Sequence, residues 1–374
     1  MRVALDATPL TLRSGGLRRY VEELSRALAR ANPEDDYWLV CDFPFEMPAE
    51  APPNLQAGAV PAGALWRRWW LAGVQREMAR RGCELFHGTN FVVPWMPLRP
   101  SVATVHDLSP WREQWAETRD GLSGTGTHRR KSSSFVRSRA GLQIAVGLAS
   151  MVLTPTEAVR KEAVEHFRVH PSKVVAAPLA AGPVFRPTEG KRLERPYFLY
   201  VGAAGARKNL SMLMQAWHEA QGRTGAELVL VGVLEAGMAA AADGARAGVR
   251  QLGQVSDEEL AEWYSGAAAV VYPSLYEGFG LPVLEAMQCG AAVIASRIPA
   301  IGEMAGDGAV LLDPMDTKEW AEAMTAAVLN PERFAEVRAR ALRRASGFTW
   351  ERTAGLTREV YAEALQRWEM RSFA

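Results

Sequence analysis

A repeating order of short apolar runs and helical patterns, strand-like then helix-like, limits the fold of this chain more than any other feature. Residues 3–7 read as a strand, and Leu17, Val21, Leu24 and Leu28 follow at helical spacing. Further short apolar runs cover 37–41, 84–87, 102–106 and 151–154. This order calls for parallel strands, and a parallel sheet needs helices on both faces to bury it. The same order then restarts. Residues 197–202 read as a strand, Asn209 as a helix N-cap, and Leu210, Leu213 and Trp217 as one helix face. Strands are expected again at 227–232, 249–253, 269–273, 292–296 and 310–312.

Between the halves stands Gly182-Pro183-Val184-Phe185-Arg186-Pro187, followed by a polar stretch to Arg195-Pro196, which reads as a linker. A length of 374 residues suits two domains of ordinary size. The expected division is an N-terminal domain over 1–187 and a C-terminal domain over 188–349. The tail carries Trp350, Ala354, Leu356, Val360, Tyr361 and Leu365, a long amphipathic helix at about 350–374 expected to pack back on the first domain.

Composition removes several function classes. The 43 basic and 42 acidic residues leave a net charge of +1, which gives nucleic acid no bulk electrostatic footprint. The three cysteines, Cys41, Cys83 and Cys289, are odd in number and form no C-x-x-C. A disulfide framework or a zinc site is therefore not expected, and a reducing cytoplasm is the simplest setting. The opening MRVALDATPL shows no leader pattern, so no signal peptide is expected. The apolar run at 144–153 is too short to span a bilayer, which leaves a cytoplasmic protein that at most touches the inner face of a membrane.

The segment with the most chemistry is 273–287, Pro-Ser-Leu-Tyr-Glu-Gly-Phe-Gly-Leu-Pro-Val-Leu-Glu-Ala-Met. It leaves a strand and enters a helix with Pro282 in the first turn. Gly278 and Gly280 let backbone approach a ligand, and N–H groups at a helix start favour anionic oxygens. Glu277 can accept from sugar hydroxyls, and Glu285 can reach a ribose. In open α/β sheets such loops stand at the carboxyl ends of strands, where ligands bind. A second segment, Ala204-Gly205-Ala206-Arg207-Lys208-Asn209, places two adjacent cations between a strand and a helix. Cations there can stabilise the charge that grows on a leaving diphosphate. Ser14-Gly15-Gly16-Leu17 is a glycine-rich turn into a helix, and Thr104-Val105-His106-Asp107 ends a strand.

Glu277 and Glu285 form an E-x7-E pattern, and the whole 273–287 run is similar to that of the family 4, or group 1, retaining glycosyltransferases. The resemblance spans nearly the whole chain. It implies a GT-B architecture, two Rossmann-like α/β domains facing each other across a cleft. It gives Glu277 and the backbone of Gly278, Phe279, Gly280 and Leu281 the donor sugar, and Glu285 the nucleotide ribose. Arg207 and Lys208 match the family's phosphate-binding pair, and His106 resembles its active-site histidine. Gly15 and Gly16 match the loop that meets the donor from the opposite domain. His106, Glu277, Lys208 and Arg207 are thus the expected catalytic set. No cofactor and no metal are implied, because the two cations and the helix start replace it.

Two departures stand out. Many relatives have Leu-Glu-Pro where this chain has Ala204-Gly205-Ala206, and Arg18 stands where relatives often have glycine. Arg18 therefore implies either a stiffer loop or a direct anion contact.

The implied function is transfer of a hexose from a nucleotide-diphosphate sugar to a glycan or lipid-linked acceptor, in cell-surface polysaccharide synthesis. The Glu-Gly-Phe-Gly run with Phe86-His87-Gly88-Thr89-Asn90 looks mannosyltransferase-like, which makes GDP-mannose the first donor and a UDP-sugar the second. The rivals are an epimerase or phosphorylase of the same fold, and an idle subunit that binds nucleotide sugar. A hydrolase is disfavoured because its two carboxylates must flank the scissile bond, whereas Glu277 and Glu285 share one loop and helix.

Three features stay open. Residues 86–90 end a strand and read either as the acceptor side or as a capped turn. Trp66, Trp69 and Trp70 with Val74 and Met78 read as a helix packed on the first sheet or as a surface for a lipid-linked acceptor. Arg129, Arg130, Lys131, Arg137 and Arg139, near the Gly/Ser-rich stretch 121–134, read as a solvated loop or as a contact for an anionic acceptor or membrane.

Overall fold

A computed structural model describes residues 1–60, 68–112, 140–203, 205–232 and 248–372. These form two compact units. The described residues of 1–108, 140–179 and 349–372 make the first, and those of 109–112 and 180–348 the second. Trp66, the 129–139 cations and Ala204 fall outside the described residues.

The first unit is built on seven parallel strands: β1 (Arg2–Asp6), β2 (Asp36–Val40), β3 (Leu55–Ala57), β4 (Leu85–Gly88), β5 (Ser101–Thr104), β6 (Met151–Thr154) and β7 (Val174–Ala176). Their order is β3-β2-β1-β4-β5-β6-β7. Its longer helices are α1 (Gly16–Ala31), α2 (Val74–Arg81) and α3 (Glu157–Phe167). The second unit has six parallel strands: β8 (Tyr197–Val201), β9 (Glu227–Val231), β10 (Val249–Gly253), β11 (Ala269–Tyr272), β12 (Val293–Ser296) and β13 (Val310–Leu312). They run in the order β10-β9-β8-β11-β12-β13. Helices α4 (Leu210–Thr224), α5 (Asp257–Gly266), α6 (Leu281–Gln288), α7 (Pro299–Ala305), α8 (Thr317–Leu329) and α9 (Pro331–Ala345) accompany them. The last helix, α10 (Trp350–Ser372), belongs to the first unit.

In each sheet the strand order reverses once, between β1 and β4 and between β8 and β11. A reversal opens a crevice at the strands' carboxyl ends, because the two neighbouring crossovers leave in opposite directions. The loops that leave β1, β5, β8 and β11, with the starts of the helices that follow them, carry Gly15, Gly16, His106, Arg207, Lys208, Glu277 and Glu285.

The cores follow the apolar pattern. Trp217 on α4 and Trp320 on α8 are fully buried against Phe198, Leu228, Val271 and Ile294 of the second sheet. Cutting a buried tryptophan back to alanine costs about 3–5 kcal/mol in general, so such residues fix how helices seat on a sheet. In the first unit Trp69 is buried with Val74, Met78, Cys83 and Phe86, and Trp70 packs beside them. Trp69 thus follows the helix-on-sheet reading, and Trp70 packs beside it half-buried. No helix of the described residues is long and apolar enough to cross a membrane.

Two local expectations are corrected. The 182–187 segment, expected to close the first domain, lies in the second unit, because Phe185 is buried there with its ring edge-on to Tyr264 at 6.0 Å. Asn209 does not cap α4 with its side chain. Its backbone is left-handed (φ 54°), and its Nδ2 donates to the Pro314 carbonyl at 2.7 Å.

Helix α10 is fixed to the first unit by polar contacts at several levels. Arg358 Nε meets Asp35 Oδ2 at 2.8 Å, and the Thr353 hydroxyl donates to the Pro178 carbonyl at 2.6 Å. Deeper in, His87 is completely buried between the Tyr361 hydroxyl on Nδ1 and the Thr104 hydroxyl on Nε2, both at 2.7 Å. Thr104 in turn meets the Tyr20 hydroxyl at 2.9 Å. Burial first, and the neighbouring His106 second, drive the His87 pKa down to about 3.

His87 therefore folds as a neutral ring, and its linkage has a definite sign. The folded pKa lies below the unfolded value of about 6.5. Its contribution is full above about pH 6.5 and is lost as pH falls towards 3. Urea unfolding at pH 7 and pH 5 should show wild type losing about 2 kcal/mol more than His87→Gln over that interval. Equal losses in the two proteins would show that His87 is not held neutral.

Candidate active site

The turn after β8 and the loop after β11 meet at the reversal point of the second sheet. Residues Ala206–Lys208 form one tight turn, closed by the Lys208 N–H on the Gly205 carbonyl at 2.8 Å. The Leu275 N–H donates to the Arg207 carbonyl at 2.8 Å, and Arg207 Nη1 donates to the Tyr276 carbonyl at 3.1 Å. These two bonds tie the cationic turn to the glutamate loop before any charge is considered.

Glu277 then sits between the two cations. Lys208 Nζ bonds its Oε1, and Arg207 Nη1 stands 3.1 Å from its Oε2. The Tyr272 hydroxyl accepts from Lys208 at 2.9 Å and donates to Glu277 Oε1 at 3.1 Å. Burial works to raise the Glu277 pKa, but Lys208 and then Arg207 outweigh it and hold the carboxyl at about 2. Burial, and then the Glu277 charge, push the Tyr272 phenol well above its usual value, so it stays a neutral donor. One carboxylate against two cations leaves the cluster a formal net positive charge.

The remaining residues of the loop serve mainly through backbone. Gly280 has φ 93°, and a Cβ on it would stand 2.3 Å from Ile301 Cδ1, so both conformation and space require glycine. Phe279 turns its ring into the core, edge-on to Phe348 at 5.9 Å, and can offer a ligand only its backbone. Gly280 ends the loop, and Leu281 and Pro282 begin α6. Gly278 lies between Glu277 and this turn. Glu285 is buried on α6, its Oε2 accepting from the Tyr264 hydroxyl at 3.1 Å.

The first unit holds the other candidates. Gly15 precedes α1 and Gly16 is its first residue. Arg18 binds the Leu10 and Leu12 carbonyls through Nη1, each at 2.8 Å, and Glu22 through Nε at 2.7 Å. Of the two readings of Arg18, the structure favours a stiffened loop. An open hollow of about 530 Å³ beside it is lined by Leu12, Arg13, Arg18, Phe45 and Glu46. His106 follows β5, half-buried, with Nε2 at 2.8 Å from the Thr89 carbonyl.

The expected residues thus fall into two groups. Arg207, Lys208 and Glu277 are in direct contact, and Gly278 to Leu281 and Glu285 continue from the same loop. Gly15, Gly16 and His106 stand at the carboxyl ends of the first sheet. Sequence reading missed Tyr272 and Tyr264, which orient the two glutamates. Tyr272 carried a weak signal as the last strand residue before Pro273; Tyr264 carried none. Among the described residues, no group of three or more His, Cys, Asp or Glu could hold a metal ion.

The chain is similar to known proteins over both units. Residues 195–330 match the family model described as Glycosyl transferases group 1, and residues 14–180 match that of Glycosyltransferase Family 4. The chain is 30% identical over 298 residues to O-antigen chain mannosyltransferase B of Escherichia coli, covering 74% of each protein. It is 28% identical to D-inositol 3-phosphate glycosyltransferase of Kineococcus radiotolerans, over 96% of this chain and 93% of that one. Sucrose-phosphate synthase from Thermosynechococcus elongatus superposes with a TM-score of 0.73 at 22% identity, over 97% of this chain and 98% of that one. That likeness shows the two-unit GT-B fold.

The depressed Glu277 pKa makes the cluster a stability element as well. Against a usual value of 4.5, its contribution is full above about pH 4.5 and lost as pH falls towards 2. Glu277→Gln should unfold in urea at pH 7 with a loss of about 3 kcal/mol. Pyrophosphate should restore more of that loss in the variant than it adds to wild type, because it replaces the missing negative charge. Unchanged stability without pyrophosphate would contradict the ion cluster.

Proposed function

Because the chain belongs to the family 4, group 1 glycosyltransferases, we propose that this hexosyltransferase moves mannose from GDP-mannose, with retention of configuration, to a glycan or lipid-linked acceptor. The observation that carries the reading is the net-positive Arg207–Lys208–Glu277 cluster at the β8/β11 reversal, beside the start of α6. A diphosphate needs positive charge and N–H donors, and a sugar needs hydrogen-bond acceptors next to them. Arg207 and Lys208 meet the first need and Glu277 the second, at one place.

In the proposed reaction the bond from the anomeric carbon to the diphosphate oxygen breaks with its electron pair going to the leaving GDP, while an acceptor hydroxyl oxygen bonds to the same face of that carbon and passes its proton to the departing diphosphate oxygen. Arg207 and Lys208 stabilise that growing charge, which lowers the barrier rather than only tightening binding. The α6 start adds backbone N–H groups of Gly280 and Leu281. Glu277 accepts from sugar hydroxyls while Tyr272 keeps it oriented. Glu285, oriented by Tyr264, takes the ribose hydroxyls. The first unit, which carries His106 and the Gly15-Gly16 loop, takes the acceptor. With two cations and a helix start on the diphosphate, the reaction calls for no metal and no cofactor.

Mannose as the sugar is supported by the Escherichia coli relative, whose name states mannosyl transfer in O-antigen chains. That name also supports polysaccharide synthesis, which draws on cytoplasmic nucleotide sugars at the inner face of the membrane.

With GDP-mannose and a glycan acceptor pool, GDP should appear only when acceptor is present, and the mannose should keep its α configuration by NMR. Arg207→Ala and Lys208→Ala should each lower kcat by about 10²–10³, and Glu277→Ala should abolish transfer in a folded protein. Transfer from a UDP-sugar in preference to GDP-mannose would overturn the donor assignment. Near-normal transfer by Glu277→Ala would remove that residue from the site.

A further inference from the structure

The second unit brings one more cation to the glutamate loop, from outside every motif named above. Ser109, Pro110 and Trp111 form a short turn with Ser109 and Pro110 buried, and the Arg112 N–H donates to the Ser109 carbonyl at 3.3 Å. These residues follow β5 in sequence and belong to the second unit. The Arg112 guanidinium lies over the ring of Tyr276, its Cζ 4.3 Å from the centroid. A cation within about 6 Å of an aromatic centroid is drawn to the negative face of the ring. Tyr276 is buried and Arg112 half-buried, so water screens the attraction less than at an exposed pair.

Tyr276 immediately precedes Glu277 and already supports the cationic turn. Its carbonyl accepts from Arg207 Nη1 at 3.1 Å, and the Leu275 N–H beside it donates to the Arg207 carbonyl at 2.8 Å. Arg207 Nη1 also stands 3.1 Å from Glu277 Oε2, so one nitrogen of this guanidinium is aimed by acceptors on two adjacent residues. The Tyr276 ring and carbonyl turn on the same Cα, and rotamer and backbone are coupled, so a contact that clamps the ring limits where the carbonyl points. We propose that Arg112 is a positioning residue for sugar transfer, clamping Tyr276 so that the Arg207 guanidinium faces the diphosphate. This rests on the reading above that Arg207 meets the diphosphate. Arg112 itself touches neither sugar nor phosphate, and its effect passes through Arg207.

Inorganic pyrophosphate, titrated calorimetrically into the full-length protein, reads the diphosphate site without base or sugar. Arg112→Met keeps the length of the side chain and removes its charge, and it should weaken pyrophosphate binding about threefold to thirtyfold. Its kcat with GDP-mannose and a glycan acceptor pool should fall by a similar factor. Arg112→Lys keeps a cation for the ring and should recover most of both losses. In an Arg207→Ala background Arg112→Met should change neither reading further, because no guanidinium is left to aim. Wild-type pyrophosphate affinity in Arg112→Met, no recovery in Arg112→Lys, or an undiminished loss in the Arg207→Ala background overturns the proposal. The last result is what a direct phosphate contact or a general loosening of the fold gives. Arg207→Ala with wild-type pyrophosphate affinity overturns the underlying reading and this proposal together. A loss in Arg207→Ala beside none in Arg112→Met overturns this proposal alone.

Discussion

One buried carboxylate between two cations organises the second unit's site. Glu277 could not stay ionised at that depth alone, since burial by itself pushes its proton back on. Lys208 and Arg207 keep it charged, and Glu277 in turn holds two like charges close together at the reversal of the sheet. The three groups therefore stand or fall as a set, and removing one leaves the others in an unfavourable field. Tyr272 completes the set by linking Lys208 to Glu277 through one hydroxyl. The same set that stabilises the turn also carries the net positive charge that the proposed diphosphate site requires, so fold and proposed chemistry share their electrostatics.

The two units solve the same problem with different side chains. Each reverses its strand order once, and each gathers polar residues on the loops that leave the central strands. In the second unit charge does the organising. In the first unit it is a chain of three hydroxyls and one imidazole, Tyr361, His87, Thr104 and Tyr20, that runs from α10 to the ring packed on His106. That chain gives α10 a physical reason to belong to the first unit despite its distance in sequence.

Much of this was legible in the residues alone. The strands at 151–154 and 310–312 were read to the residue because each is a short apolar run, and the strand at 249–253 was read to the residue although Arg250 and Gln251 interrupt its apolar pattern. The joint placement of Arg207, Lys208 and Glu277 followed from two strand-to-helix turns of recognisable composition. The misses have physical causes. Strands β3 and β7 are three-residue edge strands that the reading passed over, and β3, Leu55-Gln56-Ala57, carries no apolar run to mark it. Asn209 has a capping side chain, but its left-handed backbone turns that side chain to Pro314 instead. Tyr264 orients Glu285 across 21 positions, and no local pattern encodes such a contact.

The most direct measurement is the affinity of the full-length protein for GDP against GMP, by calorimetric titration at fixed salt. The two ligands share base and ribose and differ by one phosphate. Hydrogen bonds to a charged group are worth about 1.5–3 kcal/mol, so a diphosphate seated on Arg207 and Lys208 should bind about 10- to 100-fold tighter than the monophosphate. The Arg207→Ala/Lys208→Ala protein should bind both alike. Equal affinity for GDP and GMP in wild type would contradict the assignment of these two cations to the diphosphate.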